Sequence, residues 1–532
     1  MIHFIPAWYQ KNKWCENEQK WYSARLRTEF DDTVKQIQLF HRHKVFPFQI
    51  LLLSFAPNFR HFLHRQGVYR VPYWSCFDAM QEVRRKKAML LSFYNLNWPD
   101  EIEFIYTPFV VVALLKGKKF AQIEFGEDGN PIQVDMFENE IIKRRNIYDD
   151  RGFVSSTILF EEGKPLYQDY LTVKGMWKLR EYSSDGHVEV NPKAPYYLLD
   201  NKNKSIKKEF TFLTYNSLAE IIFEVATNYV DLLEKEDLFC MAMDSGHNQL
   251  LYDILKDKKP ILSFYENRCK IKKEGIVQKL IEGAGCVVAD TMDKVVQMET
   301  LYNGYQGMVK DISPFDTRLN LGISQQIYGQ KIMVPVDGMK EEKLERLVSQ
   351  LGAYLQKNSR AQIHFLTRLS DYNREMLLLQ KTRTYLEKYG LSPEWAAPAN
   401  RENERENDLE AELIPKRFFV EQCVEDYKVS NCMKEQRILV DLREVSEVYL
   451  QVLAISVGIP QLVAKESEFV YPGKNGFILE ENENLEQYLD FYLVGLSNWN
   501  KAMIYSCEIG RNYSADILVE KWKEVINCVR ND

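Results

Sequence analysis

The sequence lacks what a zinc module, an exported domain or a nucleic-acid binder would need. Its nine cysteines, at 15, 76, 240, 269, 286, 423, 432, 507 and 528, include no Cys-x-x-Cys. That spacing supplies no metal framework, and an odd, scattered set is what a reducing compartment tolerates. Histidine is scarce, with eight residues; His61 and His64 share a helix face, but no acid or thiol beside them in the chain completes a ligand set, so they read as packing or surface groups. Neither a metal nor a cofactor is expected. Long apolar runs are absent too: 109–115 and 50–55 fall far short of the ~20 residues a membrane span takes and read as buried strands. The first residues show no basic start, no apolar stretch of signal length and no small-residue cleavage pattern, so a cytoplasmic location is expected. Positive charge is in deficit, 69 Lys and Arg against 76 Asp and Glu. This argues against a nucleic-acid partner, because neutralising phosphates takes a basic face.

What is present is ample material for packed domains: 45% hydrophobic and 13% aromatic residues in 532. Single cores stop growing near roughly 250–300 residues, so two large domains with an inserted third are expected. A strand at Phe4-Ile5, a helix opened by Asp31-Asp32, a strand over 48–55 and a helix from Pro57-Asn58 to Gly67 alternate as in a parallel, doubly wound sheet. From about 115 the apolar residues alternate instead. The Asp128-Gly129 and Asp185-Gly186 turns mark hairpins, so 115–212 reads as a β-rich antiparallel insertion. Helix–strand alternation resumes at Ser217. A second such domain opens with a strand at 331–336, and two helices are expected after Asn484. The expected division is 1–114 and 213–328 for the first Rossmann-like domain, 115–212 for the insertion, 329–505 for the second domain, and 506–532 for a helix crossing back.

The most informative stretch is 458–478. Gly458-Ile-Pro460 closes a helix, Gln461-Leu-Val463 is a buried strand, and Tyr471-Pro-Gly-Lys-Asn-Gly-Phe-Ile478 turns into another. That order resembles the nucleotide-sugar half of retaining glycosyltransferases of the B type, which are built from two Rossmann-like domains. The resemblance implies two glutamates about two helical turns apart, holding ribose and donor sugar ahead of the Gly-hydrophobic-Pro turn. Val445 and Leu453 stand at those positions; Glu444 and Glu447 lie near, but Val452 and Ile455 occupy their partner positions. The loop expected to hold donor phosphates, Asp337-Gly-Met-Lys-Glu-Glu342, is mixed in sign and poorly suited to a pyrophosphate.

Further phrases sharpen the resemblance. Met1-Ile-His-Phe-Ile-Pro-Ala-Trp-Tyr9, Glu29-Phe-Asp-Asp-Thr-Val34, Tyr148-Asp-Asp-Arg-Gly-Phe-Val-Ser-Ser156 and Ser313-Pro-Phe-Asp-Thr-Arg-Leu-Asn-Leu-Gly322 are similar to the first accessory secretory protein family of the accessory Sec system. The resemblance implies a cytosolic, transferase-like but non-catalytic export factor. Its implied partners are two sister accessory proteins, the accessory Sec ATPase and a glycosylated serine-rich-repeat adhesin. The alternative is an active retaining glycosyltransferase using Glu444, Glu447 or Glu468.

No catalytic residue is assigned. The candidate cleft residues are Asp244 and His247, on a turn after a Rossmann strand; Arg318 in the crossing segment; Arg368 beyond the strand at 363–366; and Lys474, Asn475 and Gly476. Each has a plainer reading: turn chemistry for Asp244 and His247, an ion pair with Asp371 for Arg368, a tight turn for Asn475-Gly476. Glu82-Val-Arg-Arg-Lys-Lys87 is either a solvated helix face or a basic face for peripheral contact with anionic membrane. Trp8, Trp14, Trp21, Tyr22, Tyr73 and Trp74 serve packing or stack on sugar faces. The run 401–412 reads as a solvated charged segment.

Overall fold

The computed structural model describes residues 1–532 apart from 11–12, 17–30, 85–86, 88, 200–203, 370, 372, 398–415, 481–482 and 532. Trp21, Tyr22, Arg85, Lys86 and the run 401–412 therefore lie outside the described residues.

Two parallel sheets organise the chain. The first has seven strands in the order Tyr73–Ser75, Phe48–Leu52, Ile2–Ile5, Leu238–Ala242, Ile261–Phe264, Cys286–Ala289 and Met308–Asp311. The second has six: Phe418–Gln422, Ala361–Thr367, Gln330–Pro335, Ile438–Asp441, Gln461–Val463 and Gly476–Ile478. In both, the chain steps outward from its first strand and then reverses to the other side, which leaves a crevice beside that strand at the C-terminal end of the sheet. Pleating sends alternate residues to opposite faces. Ile2, Phe4, Ile50 and Leu238 thus join one core, while Ile5, Leu51, Phe239 and Met241 join the other.

Between Tyr73–Ser75 and Leu238–Ala242 the chain builds a ten-stranded antiparallel sheet, with Ile102–Tyr106 at one edge and Thr214–Tyr215 at the other. Lys118–Phe125 pairs with Pro131–Glu138, and Trp177–Tyr182 with Val188–Val190. Gly129 and Gly186 turn these hairpins at φ +79 and +77, values that glycine adopts without a Cβ clash. The strands Ile102–Tyr106 and Val111–Leu115 join this sheet ahead of residue 115. There the continuous apolar run hides the alternation. Arg151 fastens the sheet to the first half, gripping Asp78 at 2.7 and 2.8 Å and Asp149 at 2.6 Å.

Three helices, not two, follow Asn484: Leu485–Leu493, Ser497–Gly510 and Ala515–Asn531. The break at Arg511–Tyr513 comes where the chain passes from one half to the other, a tertiary event without a local signal. Ala515–Asn531 lies against the first half through Leu518, Trp522, Val525, Ile526 and Val529. That is the apolar stripe of an amphipathic helix. The Trp522 ring stands 5.3 Å from Phe40 and 6.2 Å from Phe4.

Candidate functional site

In the first half the crevice opens between Ile2–Ile5 and Leu238–Ala242, and the chain leaving those strands supplies Tyr9 and the turn Asp244 to His247. His247 is buried; Nε2 donates to the Ala242 carbonyl at 2.6 Å and Nδ1 accepts from Tyr9 Oη at 3.2 Å. Burial pulls its pKa down to about 4, so the ring is neutral and both nitrogens are engaged. Asp244 shapes the turn, its Oδ1 accepting from the Gly246 N–H at 2.7 Å while its own N–H donates to Asn248 Oδ1 at 3.0 Å. The two residues share a turn but face different surroundings, one a buried contact and the other a partly exposed backbone brace.

Beside them Arg268 grips two acids at a helix start. Asp31 caps Asp32–His43 by accepting from the Thr33 N–H at 3.0 Å. The Arg268 guanidinium donates to Asp31 at 2.9 Å and to Asp32 at 2.6 and 2.9 Å. Burial, reinforced by the neighbouring Asp32 charge, pushes the Asp31 carboxyl up to about 6. Burial also opposes charge on Asp32, but the Arg268 guanidinium outweighs it and holds Asp32 below the usual carboxylate range.

In the second half the crevice lies between Gln330–Pro335 and Ile438–Asp441, and arginines and carboxylates fill its rim. Arg368 Nη1 donates to Glu447 at 2.6 Å, not to Asp371, and the Arg368 N–H donates to Asp337 at 2.6 Å. Arg374 donates to Asp337 at 2.9 Å. Arg443 is bidentate to Asp441 at 2.8 Å through both bonds, and also donates to the Asp337 carbonyl at 3.4 Å, which spans the crevice. Glu447 precedes the helix Val448–Val457, where a carboxylate suits the N-terminal N–H groups. Val445 is exposed, and Leu453, on that helix, is half-buried against the core.

Residues beyond the strand ends of both halves meet. Lys35 pairs with Asp426 at 2.6 Å, and Tyr449 Oη donates to the same carboxylate. Phe315 packs on Tyr449 with ring centroids 5.0 Å apart. Glu468 accepts from the Met292 N–H and from Tyr513 Oη, so this acid stitches the halves together. Beside the Lys35–Asp426 pair runs a groove of about 710 Å³, its walls including Arg42, Arg65, Arg318, Asp426, Tyr427 and Lys434. Arg318 reaches it while bonded to Asp316 at 2.9 and 3.1 Å. His61 also lines it, with Glu127 at 3.8 Å and Asp128 at 4.0 Å, acids distant in the chain and so not visible beside it.

The turn at 471–478 is structural in its details. Asn475 is fully buried; its Oδ1 accepts from the Tyr471 N–H and its Nδ2 donates to the Phe469 carbonyl, both at 2.8 Å. A Cβ on Gly476 would stand 2.1 Å from the Gln461 carbonyl oxygen, so only glycine fits. Lys474 is exposed and lies over the Tyr505 ring at 4.7 Å. Trp8 and Trp74 are buried, the latter stacked on Tyr229 at 4.1 Å, and serve packing. The described residues of the basic run, 82–84 and Lys87, are not on a helix: Cys76–Met80 ends before them, and Glu82 has φ 58. Arg84 there donates to Ser205 Oγ at 2.9 Å and stands over Tyr197.

The fold and these contacts can be set beside known proteins. The family model for accessory secretory protein 1 of the accessory Sec system matches residues 1–528. The accessory Sec system protein of that family from Streptococcus gordonii is 30% identical, with 98% of each chain covered, and that from Staphylococcus aureus is 27% identical, with 99% of each covered. Among solved structures, the crystal structure of accessory secretory proteins 1, 2 and 3 of Streptococcus pneumoniae is similar at TM-score 0.80 and 29% identity over 100% of both chains. The Gap123 complex from Streptococcus agalactiae is similar at 0.79 and 29%, covering 99% of this chain and 100% of that one. The pneumococcal O-GlcNAc transferase GtfA, in complex with UDP and GlcNAc, shares the architecture at TM-score 0.63 and 11% identity, over 100% and 99% of the chains. Two Rossmann-like domains with an antiparallel insertion are thus a glycosyltransferase B-type fold. Matched almost from end to end, the chain belongs to the accessory secretory protein 1 family of the accessory Sec system, a protein-export family.

Proposed function

We propose that this chain is a non-catalytic export factor that binds a glycosylated serine-rich-repeat adhesin together with two sister accessory proteins. It delivers that assembly to the accessory Sec ATPase at the cytoplasmic face of the membrane. The related streptococcal structures are complexes of accessory secretory proteins 1, 2 and 3 and of Gap123, which supports the sister proteins as partners.

The observation that carries the absence of turnover is the ion-pair lattice in the second half. A nucleotide diphosphate at a Rossmann crevice needs cations and N–H groups turned toward it. Here Arg368, Arg374 and Arg443 are engaged by Glu447, Asp337 and Asp441. Displacing Asp441 from Arg443, the buried pair of the three, would leave buried charge without its partner at a cost of about 3–5 kcal/mol. The insertion and the inter-half groove remain as the surfaces for client and partners.

Incubation of the purified protein with UDP-sugars and a serine-rich acceptor peptide should release no UDP above background. The same preparation should retain the sister proteins on an affinity column. UDP release that disappears on Glu447→Gln substitution favours the alternative, an active retaining glycosyltransferase.

A further inference from the structure

The strand Phe418–Gln422 and the helix Asp426–Lys434 bring together three groups that spacing in the chain does not suggest as a set. A carboxylate oxygen of Glu421, Sγ of Cys423 and Sγ of Cys432 all lie within 4.8 Å of one another. Cys423 is buried at the strand end, where its N–H continues the sheet by donating to the Thr367 carbonyl at 3.0 Å. Cys432 lies one helix later and accepts from Gln436 Nε2 at 3.6 Å, a donor suited to a thiolate. The carboxylate is held from behind: His364, buried on the adjacent strand, hydrogen-bonds Glu421 through Nδ1 at 2.8 Å and stacks on Phe419. Its Nε2 is buried without a hydrogen-bond partner among the described residues, so the Glu421 bond and the Phe419 stack set the ring's orientation.

We propose that Glu421, Cys423 and Cys432 form a binding site for a zinc-class divalent cation, with His364 as the positioning residue behind the carboxylate. Two thiolates favour a soft ion, and the carboxylate favours a borderline divalent one over a monovalent one. A histidine that fixes a ligating carboxylate is the outer contact such sites carry. Solvent supplies the fourth position, because Glu421 is 34% exposed and Cys432 is only partly buried. Helix Asp426–Lys434 also carries Asp426, Tyr427 and Lys434 into the inter-half groove. An ion bound here pegs that wall of the groove to the sheet.

The test titrates the reduced, full-length protein with cobalt(II), followed by displacement with zinc. One equivalent should produce the thiolate-to-cobalt charge-transfer band and the intense visible bands of a tetrahedral site. Cys423→Ser and Cys432→Ser should each abolish the charge-transfer signal or displace it, while Cys507→Ser leaves it intact. His364→Gln should weaken zinc binding roughly 10–100-fold with the metal-free protein still folded. Because Cys423 is buried, Cys432→Ser and Glu421→Gln carry the conclusion if Cys423→Ser fails to fold. Weak octahedral spectra, binding unchanged in the Cys432→Ser protein, or a reduced protein that takes up no cobalt would overturn the assignment.

Discussion

Gly476 illustrates how much a single position decides. Its missing Cβ lets the strand Gly476–Ile478 approach Gln461, whose carbonyl oxygen would stand 2.1 Å from any added carbon, with Val470 Cγ1 at 2.7 Å. Gly473 in the same turn has open space around it and needs only its φ of +74. Gly476→Ala should therefore lower stability by about 3 kcal/mol, as an overpacked site that the backbone cannot relieve. Gly473→Ala should cost about 1 kcal/mol, for left-handed strain alone. Urea denaturation separates them, and equal losses would contradict the close-approach reading. A turn at this place was legible, but its left-handed glycine is Gly473, and Gly476 is fixed instead by its approach to Gln461, a contact with no local signal. The partner of Arg368 was not legible, because Glu447 lies 79 residues away and nothing near Arg368 marks it. The Glu421, Cys423 and Cys432 cluster escaped for a similar reason: a strand end and the next helix bring it together.

Elements were read more securely where period and turn chemistry agree. Both Asp-Gly hairpins and the helix–strand alternation of the two sheets follow that rule. The break before Ala515–Asn531 did not, since the chain's passage between halves leaves no periodic trace. That last helix packs on one face of the first sheet. Trp522→Ala removes the ring that meets Phe4 and Phe40 and should cost about 3–5 kcal/mol. The exposed Ile517 on the same helix gives the contrast: its replacement by Ala should stay within about 0.5 kcal/mol. Chemical denaturation should show the Trp522→Ala loss in the first half, with the core built on Ile363 and Phe365 unaffected.

At the scale of the molecule, the junction between the halves should respond to pH. Glu266 lies beyond the strand Ile261–Phe264, and burial, with the Glu447 charge from the opposite half adding to it, pushes its carboxyl up to about 7. The folded protein keeps a proton that the unfolded chain, near the ordinary 4.5, has released. The resulting stability is fully present below about 4.5 and is lost as the pH rises through 7. Glu266→Gln mimics the protonated form, so its urea midpoint should fall less than that of the parent protein between about pH 5 and pH 8. Parallel declines would remove Glu266 from the explanation. The same junction holds the two passages of the chain side by side: the Thr317 N–H donates to the Tyr513 carbonyl at 2.9 Å, and Thr317 Oγ1 donates to the Gly510 carbonyl at 2.6 Å. A door hung on paired pins swings about one axis and resists twisting. A force that pries the lobes apart meets such a door, and a protease that nicks one pin leaves the door hanging on the other.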